Sequence, residues 1–385
     1  MFDFQAHRGG RDARPENTLY SYLYGMEIGA NIECDMQLAR DGIVMSHNPV
    51  LNPDITRDIH GSYLRTGIYD IRLMTIEEIK SFDVGAINPE SEYFGLHGSQ
   101  TALHAKIPTL EEMFQLAVDT GHNTTEFNIE TKSYPDPQSP FYENNADPHK
   151  FVDEFLRIVR KYKMEKRVIL QSFDWRTLRI MKDEAPEIRT SALYQLSPDS
   201  PVDGDTIHMT RREPSPWLAG LSIHDYDGHI AACAYAAGAD ILSPNFREFT
   251  EKDAYEAHEL GMKILPWTVN SRNDMLETIE KGADGIISDR PWILRELLER
   301  RGIPSVRFRL RLKARTTSKA PCCNIRRFSC RFSLILIRKK GSSAPALRNW
   351  ALPFPNTPSW HFFLKDISSP SPKRTKDTRQ GNSCR

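Results

Sequence analysis

His7 and His47 bracket Glu33 and Asp35 within the first fifty residues. Imidazole has an ordinary pKa of about 6.5, so it can act as base or acid near neutral pH. Carboxylates two apart on a strand project from one face and offer hard oxygen ligands. Such a set suits metal-assisted cleavage of a phosphate ester. That reaction needs one group to activate the attacking oxygen and another to protonate the departing alkoxide. Glu130, in FNIETK, supplies a third carboxylate. Three carboxylates without a Cys or His cluster favour Mg²⁺ or Ca²⁺ over Zn²⁺.

Cationic and aromatic groups extend this set. Arg8 follows His7, and its planar fork matches two phosphate oxygens. Lys132 projects from the same face as Glu130 and adds a second positive charge. Trp267 can stack on a glycerol or alcohol carbon skeleton, or simply fill the core. Gly9 and Gly10 allow the backbone close to the site. Glu16 and Asn17 fix the loop and helix start, or touch ligand directly. Each charged residue also has a plainer role, as a structural histidine or a salt-bridge partner.

These residues must be brought together by alternating elements. Strands are expected at 2–7, 31–36, 126–131, 167–172, 190–195, 239–244, 262–268 and 284–288. Their near-continuous apolar content suits parallel strands buried on both faces. Amphipathic helices are expected at 17–30, 109–121, 150–162, 175–185, 228–239, 251–261, 272–283 and 291–302. Thr109 and Glu112 form a capping-box pattern ahead of one of them. Eight strand–helix units predict a (β/α)₈ TIM barrel, with a doubly wound open sheet as the alternative. His7, His47, Glu33, Asp35 and Glu130 then fall at strand ends. Cys34 points away from its two acidic neighbours, into the packing. Residues 52–105 interrupt the alternation after the second strand region. This insertion, with a helical piece at 75–82, is expected to cover the site and meet the substrate's alcohol group.

The net charge of zero conceals two unlike segments. Residues 1–300 carry 31 Lys+Arg and 49 Asp+Glu, whereas 301–385 carry 20 and 2. The expected division is therefore a barrel over 1–301 and a basic, low-order tail over 302–385. The tail is rich in Arg, Ser and Pro without hydrophobic period. A dispensable or out-of-frame extension, a basic arm for anionic membranes or nucleic acid, and a small packed extension all fit that composition. Only Cys34 and Cys233 precede residue 301, which fits a reduced, cytoplasmic protein rather than a disulfide framework. No apolar run reaches the roughly 18 residues of a membrane span.

The chain resembles the glycerophosphodiester phosphodiesterase family, which is related to the phosphoinositide phospholipase C barrels. The matching text is HRGG, PENT, IECDMQLARDGIVMSHNP, IPTLEEMF, FNIETK, QSFD, PWTVN and GADGIISDRP, in family order over about residues 4–295. The resemblance implies a (β/α)₈ barrel that uses a divalent metal to hydrolyse glycerophosphodiesters to glycerol 3-phosphate and an alcohol. It implies metal ligands at Glu33, Asp35 and Glu130, an acid/base pair at His7 and His47, and phosphate contacts from Arg8 and Lys132. The partner is a small-molecule glycerophosphodiester, with no nucleic acid expected. Two departures stand out: Ala39–Arg40 before the DG turn, and Asn48 where many members carry Asp. A lysophospholipase D or sphingomyelinase D-like enzyme would use the same residues, with Tyr63, Tyr69, Tyr93 and Phe94 as an apolar rim. A non-catalytic phosphodiester-binding module is a third reading.

Overall fold

Among the described residues, aliphatic and aromatic runs form nine strands: β1 Asp3–Ala6, β2 Asn31–Ala39, β3 Gly42–Val44, β4 Phe127–Thr131, β5 Val168–Ser172, β6 Arg189–Tyr194, β7 Ile241–Pro244, β8 Lys263–Ile264 and β9 Gly285–Ser288. The computed structural model describes residues 1–65, 68–196, 206–207, 209 and 212–305. All eight strands other than β3 pair in parallel, in the order β9–β1–β2–β4–β5–β6–β7–β8. Asp284 N–H donates to Ile264 O and Ile287 N–H to Pro266 O, each at 3.0 Å, which joins the two ends of this row. Neighbours in space are thus neighbours in sequence around a ring. A doubly wound sheet would instead reverse its order at a switch point. The barrel expectation holds.

All eight expected helices form, with shifted ends. The first begins at Leu19, not at 17, because Thr18 and Ser21 cap each other reciprocally. The pair Thr109–Glu112 caps Leu110–Asp119 as its pattern predicted. Phe114, Phe127, Phe151, Phe155 and Trp175 fill the layer between helices and barrel. Cys34 is fully buried there, its Sγ 3.8 Å from Met113 Sδ. Ile169, Ile241, Leu265 and Ile287 form a separate apolar cluster.

Two boundaries differ from expectation. His47 lies three residues beyond β3, which is an antiparallel extension of β2 and not a barrel strand. The barrel also continues past 301: Phe2 N–H donates to Pro304 O at 2.9 Å, and Ile303 packs on the core. The rest of the basic tail, 306–385, lies outside the described residues.

The insertion is packed. Its Ile71, Ile79 and Val84 form an apolar cluster with the flanking Val44, Leu51 and Ile107. The helical piece at 75–82 is Ile76–Lys80, and a second short helix, Glu92–His97, was not anticipated. Gly9 has φ +81°, and a Cβ there would meet Ser21 at 2.6 Å. Its need for glycine thus comes from packing against the first helix, not from the substrate side. Among the described residues, no helix is long and apolar enough to cross a membrane.

Candidate active site

The C-terminal ends of the barrel strands surround a cavity of about 200 Å³. Its walls include His7, Arg8, Glu33, His47, Glu130, Lys132 and Trp267, so seven of the eight predicted site residues face it. Asp35 is the eighth, buried beside Glu33 and opposite Glu130 in the β2–β4 register. None of 52–105 lines the cavity among the described residues. Asn52, Ile55, Thr56 and Val84 of the insertion instead line a smaller adjoining pocket that shares His47.

Glu33, Asp35 and Glu130 bring ligand oxygens within 4.8 Å of one another. Glu33 accepts from Arg8 N–H at 3.0 Å and from Gln171 Nε2 at 2.7 Å. Asp35 Oδ2 accepts from Asn17 Nδ2 at 2.9 Å and faces Arg8 Nε at 3.1 Å. Burial, then the charges of Asp35 and Glu130, push the Glu33 carboxyl well above the usual carboxylate range. Burial would raise Asp35 too, but Arg8, His47 and Lys132 outweigh it and hold Asp35 low. Asp35 Oδ1 is buried without a hydrogen-bond partner. An orphaned carboxylate oxygen inside a crowded acidic cluster fits a hard cation, because the cation would relieve both the repulsion and the desolvation.

The histidines stand on either side of this cluster. His7 Nδ1 lies 2.6 Å from Asp289 Oδ1, and His7 Nε2 lies 3.7 Å from Glu33. Arg11 Nε at 2.6 Å and Asn270 Nδ2 at 2.7 Å fix the same Asp289 carboxylate. His47 Nδ1 lies 2.7 Å from Asn48 Oδ1, and Gln37 holds the His47 carbonyl at 3.2 Å. In each case the acceptor at Nδ1 selects the Nδ1–H tautomer and leaves Nε2 able to take a proton. Burial lowers both imidazoles from their ordinary value. Asp289 opposes that fall at His7; Arg8 and Lys132 add to it at His47.

Arg8 Nη1 donates to Glu16 Oε1 at 2.9 Å, and Lys132 Nζ to Glu130 Oε1 at 2.8 Å. Both cations are therefore aimed by carboxylates while lining the cavity. Trp267 donates from Nε1 to Ser243 O at 2.9 Å and meets Phe173 edge-on, at 5.4 Å between centroids. Glu16 and Asn17 act behind the wall: one holds Arg8, the other Asp35. Sequence reasoning missed Asp289, Arg11, Gln171 and Asn270. Gln171 and Asp289 follow the rule that selected Glu130, a polar residue at or just past a strand's C-terminal end. Arg11 and Asn270 carry no comparable signal, since their loops meet only in the folded barrel. The lipid reading's rim is incomplete as well. Tyr63 and Tyr93 turn their hydroxyls to Ile87 O and Glu16, leaving Tyr69 and Phe94 exposed.

Residues 7–292 match the model of the glycerophosphoryl diester phosphodiesterase family. A glycerophosphodiester phosphodiesterase of Caldanaerobacter subterraneus is 30% identical over 77% of this chain and 98% of its own. Among solved structures, a Silicibacter pomeroyi protein provisionally assigned as a glycerophosphoryl diester phosphodiesterase is 30% identical. It covers 78% of this chain and 94% of its own, with a TM-score of 0.66. An Oleispira antarctica phosphodiesterase, solved with the product sn-glycerol-3-phosphate, shares the fold at 20% identity and a TM-score of 0.54. That match covers 77% of this chain and 96% of the other.

Proposed function

The chain belongs to the glycerophosphoryl diester phosphodiesterase family, and on that premise we propose that it hydrolyses glycerophosphodiesters to glycerol 3-phosphate and an alcohol with His7 and His47 as the acid/base pair. The observation that carries the reading is the pairing of two Nδ1-anchored imidazoles with a buried three-carboxylate cluster in one cavity. Glu33, Asp35 and Glu130 would hold a divalent cation, Mg²⁺ or Ca²⁺. Bound there, the cation supplies Lewis-acid polarisation of the phosphoryl oxygens.

The chain's own groups do the rest. Arg8 and Lys132 face the phosphate and offset the negative charge that grows as the P–O bond breaks. One imidazole takes at Nε2 the proton of the attacking oxygen, either water or the substrate's neighbouring glycerol hydroxyl; in the second case water then opens the cyclic phosphate. The other returns a proton to the departing alkoxide oxygen. Burial lowers the proton affinity of both rings, which favours the neutral form that the first role needs; the second ring must take up a proton from solvent before it can give one to the alkoxide. Asp289 stabilises a charged His7, whereas Asn48 offers His47 no countercharge. This asymmetry favours His7 as the group that carries the proton to the leaving alkoxide. Trp267, with Phe173 behind it, gives the substrate's carbon skeleton an apolar wall. The Caldanaerobacter relative is a glycerophosphodiester phosphodiesterase, which supports this substrate class over the lipid alternative.

Chelation tests the cation. Glycerol 3-phosphate release should stop in EDTA and return with Mg²⁺ or Ca²⁺. Undiminished release after thorough chelation would remove Glu33, Asp35 and Glu130 from that role.

A further inference from the structure

We propose that Tyr93, on the insertion's helix Glu92–His97, is a positioning residue for the hydrolysis, its hydroxyl setting His7 through Arg11 and Arg8 through Glu16. The proposal rests on the roles of His7 and Arg8 given above. Two chains of contacts meet at this oxygen. In one, Arg11 Nη1 donates to it at 3.0 Å, and Arg11 Nε grips Asp289 Oδ1 at 2.6 Å. That Asp289 oxygen is the one 2.6 Å from His7 Nδ1. In the other, the hydroxyl donates to Glu16 Oε2, and Glu16 Oε1 takes Arg8 Nη1 at 2.9 Å. A tyrosine hydroxyl has one proton to donate and lone pairs to accept, so it can serve a carboxylate and a guanidinium together. Phenylalanine can serve neither.

The helix is fixed where this requires. The Tyr93 ring packs against His97 at 4.7 Å between centroids. His97 Nδ1 lies 2.5 Å from Asp12 Oδ1, and Asp12 Oδ2 accepts from Arg290 Nε at 2.6 Å. Arg290 follows Asp289, so the clasp closes on the segment that orients His7. Tyr93 is not among the residues that line the cavity. Its effect must pass through the placement of groups that do. Misplacing a reacting group by about 1 Å can cost on the order of a hundredfold in rate, while Lys132 and the aromatic wall still bind substrate.

Steady-state hydrolysis of a glycerophosphodiester separates this role from a structural one. Tyr93→Phe should lower kcat about tenfold with KM within about twofold and an unchanged melting temperature. Glu16→Gln should also lower kcat, and the double variant should fall short of the product of the two losses, because both changes break one linkage. Phe94→Ala, exposed on the same helix, should keep the wild-type kcat. Unchanged kcat in Tyr93→Phe, a loss explained by unfolding, or multiplicative losses in the double variant would overturn the proposal. In that case active wild type and inactive His7→Ala would leave the hydrolase reading standing. Wild type without turnover would sink that reading and this proposal together.

Discussion

His7 and His47 differ in what stands behind them, and this difference has kinetic consequences. Removing either imidazole should lower kcat by on the order of 10²–10⁴-fold with the fold retained by circular dichroism. Retention of more than about a tenth of the rate would contradict the acid/base roles. Asp289→Asn should leave His7 in place but remove the countercharge for its protonated form. We expect kcat to fall by at least about tenfold, with KM little changed, in the same assay. An unaffected kcat would make Asp289 a merely structural anchor. Half of the residues that line the cavity could be read from sequence, because strand-end position and chemical type mark them. The pairing of Arg11 with Asp289 was not readable. Arg11 and Asp289 stand 278 positions apart, and only ring closure beside β1 and β9 brings them into contact.

The elements explain why the HRGG turn and the insertion matter. Gly9→Ala would force a Cβ to within 2.6 Å of Ser21 at a left-handed φ. It should cost more than about 1 kcal/mol in denaturant unfolding and misplace His7 and Arg8, which immediately precede it. The Thr109 cap is an ordinary one, and Thr109→Ala should cost about 1 kcal/mol. In the insertion, burial would raise the Asp83 carboxyl, but Gly85 N–H, His104 and Arg57 bring it down to about 2. A carboxyl lowered on folding adds stability above its ordinary value near 3.8 and loses it as pH falls towards 2. The melting-temperature gap between wild type and Asp83→Asn should therefore narrow over that window. A gap independent of pH would refute the ion-pair account. Barrel strands and helices were legible because apolar period and caps are local signals. The helix Glu92–His97 was not, since six residues with exposed Phe94 and Leu96 leave little period to detect.

At the scale of the whole molecule, the acidic barrel and the basic tail are separate problems. The sequence predicts a barrel over 1–301, yet Ile303 and Pro304 also belong to it, packing on the core and pairing with Phe2. A cut after Ser305 spares these contacts. A chain ending there should keep the full-length kcat and melting temperature, whereas loss of either would give the tail a part in the barrel. The most direct test of the account is the identity of the phosphate product. Wild type, supplied with Mg²⁺ or Ca²⁺ and a panel of glycerophosphodiesters, should release glycerol 3-phosphate and free alcohol in equal amounts, and His7→Ala should not. Release of glycerol with a phosphorylated alcohol, or no turnover of any member of the panel, would contradict it.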